Sequence, residues 1–192
     1  MSRRPVKIPS MLVGMISIGL PLMNGKVFKN KKDCPHCGGK TVPHDTKEKI
    51  FATLITPEGE KKITVRVGRY RCKECGALVY ADEPFYPDTR VGSVIIDLAV
   101  SLSKIYSYSH TADIMKALGI EVDRGSVRKY AMSNLPAVQT SFLYGMQLPD
   151  SFVSVVSKCA SLGASVSPDE ILAASGYPSS YRAPVENSGA TL

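Results

Sequence analysis

A chain of 192 residues holds one ordinary domain or two small ones, and its 44% of hydrophobic residues is enough for a core of modest size. Five cysteines, an odd number with four of them in two close pairs, argue against a secreted disulfide scaffold and suit a reducing, cytoplasmic setting. The net charge of +7 is unevenly placed: residues 1–76 carry 16 Lys and Arg against 6 Asp and Glu, whereas residues 77–192 carry 8 against 11, so a field attractive to phosphate belongs to the first part of the chain.

Residues 1–29 read as an apolar and basic arm. Met11 to Met23 is apolar and follows Arg3, Arg4 and Lys7, the order of a signal peptide. It falls short of the about 20 residues that cross a bilayer and lacks a small-residue cleavage site. The expectation is an arm that packs on the next module or on another subunit, with no membrane partner.

Residues 30–81 carry the strongest motif. Cys34-Pro35-His36-Cys37-Gly38-Gly39 and Cys72-Lys73-Glu74-Cys75-Gly76 supply four thiolates in two short turns, each followed by a glycine that tolerates the left-handed conformation such a turn favours. Four thiolates fill the tetrahedral shell of a structural Zn2+, so Cys34, Cys37, Cys72 and Cys75 are the expected ligands, with no position left for a catalytic water. A redox dithiol or a disulfide is the competing use of a CxxC pair, but that role belongs beside a βαβ pattern and none surrounds these. His36 reads as a variable turn residue, and His44 would ligate only in place of a missing cysteine. Between the pairs, Ile50–Thr56 and Ile63–Tyr70 are rich in β-branched and aromatic residues, and Pro57-Glu58-Gly59-Glu60 has turn chemistry. Two metal turns joined through an antiparallel hairpin make a zinc ribbon. Its second strand offers Arg66, Arg69 and Arg71 to nucleic acid, against the plainer reading of a soluble basic surface.

Residues 82–90, punctuated by Pro84 and Pro87, read as a linker, after which the hydrophobic period becomes helical. Val91, Val94, Ile95, Leu98, Ala99, Leu102 and Ile105 predict a helix to about Tyr106, broken by Ser107-Tyr108-Ser109. A second helix from His110 to Leu118 ends at Gly119, and Asp123 is placed to cap a third from Arg124 to about Ser133. Three helices in this order over 91–135 describe a helix-turn-helix, whose last helix would turn Arg124, Ser126, Arg128 and Lys129 to the DNA major groove while Val127, Tyr130 and Ala131 hold it in place. An ordinary helical hairpin with a solvated charged face is the alternative. Residues 136–177 read as a short helical region, with one helix over Phe152–Leu162 and another opened by the capping box Ser167-Pro168-Asp169-Glu170. Cys159 reads as a small buried hydrophobe, and 178–192 as a flexible tail.

The order CPHCGG, hairpin, YRCKECG, proline-rich link and SHTADIMKALGIEVDRGSVRKYA resembles the N-terminal region of insertion-sequence transposases of bacteria and archaea, over Cys34 to Ser133. The resemblance implies a zinc ribbon and a helix-turn-helix that recognise the terminal repeats of a mobile element in double-stranded DNA. In that family a catalytic domain follows, with three carboxylates around two divalent ions. Asp150, Asp169, Glu170 and Glu186 come after Ser133, but no strand series accompanies them, so no catalytic residue is assigned. The expected whole is an α+β chain, a small antiparallel zinc ribbon followed by a helical helix-turn-helix domain, that binds DNA as a homo-oligomer or beside a separate catalytic subunit. The alternative is a zinc-ribbon protein-interaction module or transcription adaptor.

Overall fold

The computed structural model describes residues 7–176, and the fold follows from where their apolar side chains go. The arm is a helix, α1 (Ser10–Gly19), prolonged by a 3-10 turn over Leu20–Met23 that carries Pro21 near its start. Leu12, Ile16, Leu20 and Met23, spaced three or four apart, form its buried stripe. The arm rests chiefly on α5 (Asp150–Leu162) and not on the cysteine module. The two backbones meet at Gly19, where a Cβ would stand 2.7 Å from the carbonyl oxygen of Val156. Only the end of the arm reaches the sheet, where Gly25 N–H donates to Thr64 O at 2.7 Å.

The sheet is longer than the sequence pattern announces. It comprises β1 (Val27–Phe28), β2 (Thr41–Thr56), β3 (Gly59–Cys72) and β4 (Leu78–Tyr80). β3 is central: β2 runs antiparallel along one edge, and the other edge takes β1 in parallel and β4 antiparallel. Ile63, Val65 and Val67 turn to the core while Lys62 and Arg66 face solvent, the period-two pattern of a half-buried strand.

α2 (Ser93–Ser103) runs through the middle of the molecule and is buried on nearly every side. Gly92, just before it, lies against Phe51, whose ring would be 2.4 Å from an added Cβ. The segment 82–90 is packed and does not behave as a bare linker: Phe85 meets Phe51 edge to face at 6.0 Å between centroids, and buried Tyr86 donates to Asp97. Lys49 binds Glu83 at 2.8 Å and stands over the Phe85 ring.

α4 (Arg124–Met132) begins where expected, while α3 (Tyr108–Ala117) begins two residues before His110, because Ser107 alone makes the break and caps it. The turn between them is stitched to β2, with Ile55 N–H donating to Gly119 O and Glu121 N–H donating to Thr53 O, both at 2.9 Å. Region 136–177 is not purely helical. A hairpin of β5 (Thr140–Leu143) and β6 (Met146–Pro149) precedes α5, turning at Tyr144 and Gly145, both at positive φ. α6 (Pro168–Ala174) ends the described chain. One continuous apolar core runs from Leu12 to Leu172, and a second, small cluster holds Cys34, Cys72 and Val79. Among the described residues no helix is long and apolar enough to cross a membrane. The expected tail at 178–192 lies outside the described residues, as do Arg3 and Arg4.

Candidate metal centre

β2 begins and β3 ends at one point, Thr41 opposite Cys72, and this pairing brings the two cysteine turns face to face. The turns repeat each other. Gly38 N–H donates to Cys34 O and Gly76 N–H to Cys72 O, while Cys34 N–H donates to Gly39 O and Cys72 N–H to Ala77 O. Gly38 (φ 71°) and Gly76 (φ 73°) take the left-handed conformation that the doubling-back needs. Lys73 N–H, bonded to Lys40 O at 3.0 Å, locks one turn onto the other.

The four sulfurs lie within 4.8 Å of one another and could hold a metal ion. Cys34 and Cys75 sulfurs stand 3.6 Å apart, those of Cys37 and Cys72 3.5 Å. A tetrahedral ion with metal–sulfur bonds of about 2.3 Å has sulfur–sulfur edges of about 3.8 Å, so the cluster is close to the size of such a shell. Cys34 and Cys72 are buried, Cys37 and Cys75 exposed. Gly39 supplies no ligand, yet a Cβ there would meet Cys72 Sγ at 3.1 Å and the end of the Glu74 side chain at 2.7 Å. The doubled glycine after the first pair was its signal.

The thiols share their protons unequally. Backbone N–H groups of Cys75 and Glu74 hold the Cys72 thiol down to about 7 against the effect of burial. Gly39 N–H acts in the same sense on Cys37, but hydrogen bonds with Cys72 and Cys75 and burial outweigh it and push that thiol up to about 12. Cys75, despite donors at Ala77 and Cys37, is also raised, by its hydrogen bonds with Cys34 and Cys72 and by burial. Four like charges in one small shell resist forming together, and a bound cation removes that resistance by displacing the protons.

No known family model, curated protein or solved structure matches this chain.

The basic residues divide by what already holds them. Arg69 forms a two-armed pair with Asp45, Nε to Oδ1 at 2.5 Å and the second guanidinium nitrogen to Oδ2, and the pair holds the Asp45 carboxyl below its ordinary range. Lys32 binds Asp82, Lys40 binds Asp33, and Lys26 Nζ donates to the Ala164 and Val166 carbonyls beyond α5. Arg66 is exposed opposite Glu48, and Arg71 is exposed beside the second cysteine turn. On α4, Arg124, Arg128 and Lys129 are exposed while Val127 and Tyr130 are buried. Ser126 serves the helix start instead: its N–H donates to Asp123 Oδ1 at 3.0 Å and its hydroxyl to Oδ2 at 2.6 Å. Arg71 and the α4 residues are not brought together. From Thr41 to Leu54, where the α3–α4 turn meets β2, the strand extends roughly 40 Å at about 3.3 Å per residue.

Proposed function

We propose that this chain is a zinc-stabilised, site-specific binder of double-stranded DNA, similar in plan to the recognition region of an insertion-sequence transposase, in which a zinc ribbon supports a helix-turn-helix. We assign it no catalytic residue. The observation that carries this reading is α4: one side seats Val127 and Tyr130 in the core, the other presents Arg124, Arg128 and Lys129, and the turn before it is hydrogen-bonded to the sheet. A helix held by its back and basic on its front suits a major groove.

Zinc is the ion the donor set favours, since four thiolates close a tetrahedron and leave no site for water. A dication among four thiolates leaves two negative charges, and Arg71 and Lys73 flank that centre. Part of the basic surplus in residues 1–76 therefore offsets the metal site, and the α4 residues rank ahead of Arg66, Arg69 and Arg71 as DNA contacts.

The test is selection of zinc-loaded protein on random duplex DNA at two salt concentrations, with sequencing of the retained fraction. Enrichment of a motif with salt-sensitive affinity is the expected result. Arg124→Ala or Arg128→Ala should cost about 1–3 kcal/mol and relax one base position if the side chain reads a base, or lower the salt slope by about 1 if it holds a phosphate. Absence of retention at the lower salt would overturn the reading.

A further inference from the structure

The hairpin β5–β6 gives one strand to the core and the other to solvent. β6 buries Met146 and Leu148, while β5 leaves Phe142 74% exposed, next to Leu143 and Tyr144. Among the described residues, the outer edge of β5 pairs with no strand. β2 offers the contrast. From Pro43 to Lys49 it has a proline, a register shift and the charges Asp45, Lys47, Glu48 and Lys49, the features that keep a sheet edge from joining another chain; nearer its tip, Gly119–Glu121 covers it. β5, Thr140-Ser141-Phe142-Leu143, has no charge, no proline and no bulge.

Charge is sparse along the chain around it, the exposed Asp150 at the far end of β6, whose N–H donates to Gln139 O at 3.0 Å, being the nearest in sequence. Neither Ser133–Pro149 nor Ser10–Met23 contains an Asp, Glu, Lys, Arg or His, in a chain where 21% of residues are charged. The two segments touch, the Tyr144 hydroxyl lying 3.7 Å from Met15 Sδ. Met11 and Ile18, 58% and 59% exposed, share a helical face with Met15. With a net charge of +7, copies of this chain repel each other over most orientations. This charge-poor surface is where two copies can meet with least of that repulsion, and it offers little to an acidic or basic partner.

We propose that β5 is a self-association edge: two copies pair their β5 strands antiparallel about a two-fold axis, joining the hairpins into one four-stranded sheet. Antiparallel pairing of identical strands is self-complementary and satisfies the outward backbone groups of both copies at once. An axis perpendicular to the sheet keeps the two Phe142 side chains on one face, opposite or diagonal to each other, and removes them from water.

Sedimentation equilibrium of the full zinc-loaded chain between about 1 and about 100 µM, a range that brackets micromolar affinity, tests this. A dimer at the upper concentrations is expected. Phe142→Lys and Phe142→Glu should each sediment as monomers with unchanged circular dichroism and metal content, since Phe142 packs little in the single chain. An equimolar mixture of the two should recover the dimer, because opposite charges then face each other across the axis. A monomeric wild type at about 100 µM, a dimer that survives in both variants, or a mixture that stays monomeric would each overturn the proposal. Thr140→Lys provides a second disruption of the same edge should either Phe142 variant misfold.

Discussion

Among the described residues, Asp97 is a carboxylate held by hydroxyl groups and not by a cation. It is 3% exposed and accepts hydrogen bonds from the Tyr86 hydroxyl at 2.5 Å and the Ser151 hydroxyl at 2.6 Å, so it ties the segment before α2 to α5. Burial raises its pKa, and the two hydrogen bonds oppose that only in part. Well below the ordinary carboxylate range the group is neutral in folded and unfolded chains alike. As pH rises through that range the unfolded chain releases its proton first, and the folded protein loses stability until pH passes the raised value. Asp97→Asn, which keeps an acceptor for Tyr86, should therefore raise the melting temperature near neutral pH, with the gain shrinking towards pH 3. A gain that is equal at both pH values would show that packing and not charge is responsible. Gly92 is equally constrained by size: Gly92→Ala drives a methyl into the fully buried Phe51 ring and should cost about 1–3 kcal/mol, read from chemical denaturation. Neither residue stood out in the sequence, because each is defined by a partner far along the chain.

At the scale of elements, the legible parts were those with local chemistry. Asp123 caps α4, Gly119 closes α3 at φ 83°, and Ser167 with Glu170 forms the capping box of α6, each as their spacing announces, while Ser107 caps α3 two residues earlier than a start at His110. Removing one such group should act locally, and Asp123→Ala is expected to cost about 1 kcal/mol and to fray the first turn of α4. Amide exchange at Gly125 and Ser126 would report it. The parts that were not legible lacked contrast. The first half of β2 is Thr41-Val42-Pro43-His44-Asp45-Thr46-Lys47-Glu48, with a proline and no alternation, and it is a strand because β3 offers it a ladder. α1 is apolar or small on every side, so no polar face marked it as a helix against its partner α5. β5 and β6 are four residues each, and their turn is Tyr-Gly in place of the Asn-Gly or Asp-Gly that signals a two-residue hairpin.

Across the whole molecule, the division between the two apolar clusters predicts what a metal bound at the four cysteines would do. The large core holds α1, the middle of the β2–β3 hairpin and helices α2 to α6 without help from the cysteines. The apolar cluster at the cysteine end is only Cys34, Cys72 and Val79, with Ala77 beside them, too little to order two turns that must also gather four thiolates. Metal binding there is folding free energy for the turns, but that energy has no path by which to become indispensable to the rest. Chelation at neutral pH should accordingly free the amides of residues 34–40 and 72–78 to exchange while α2 and α5 stay protected. The main melt should remain cooperative and fall by roughly 5–10 °C, the equivalent of a few kcal/mol in a chain of this size. Because the α3–α4 turn is bonded to β2 at Thr53 and Ile55, at the end of the hairpin remote from the cysteines, α4 should keep its position, and the DNA affinity we propose for it should drop by no more than about tenfold, about 1.4 kcal/mol. Hydrogen exchange and duplex binding on the same chelated sample separate the cases: global loss of protection would mean that the core depends on the metal, and lost DNA binding with α4 still protected would move the proposed contact from α4 to the cysteine turns.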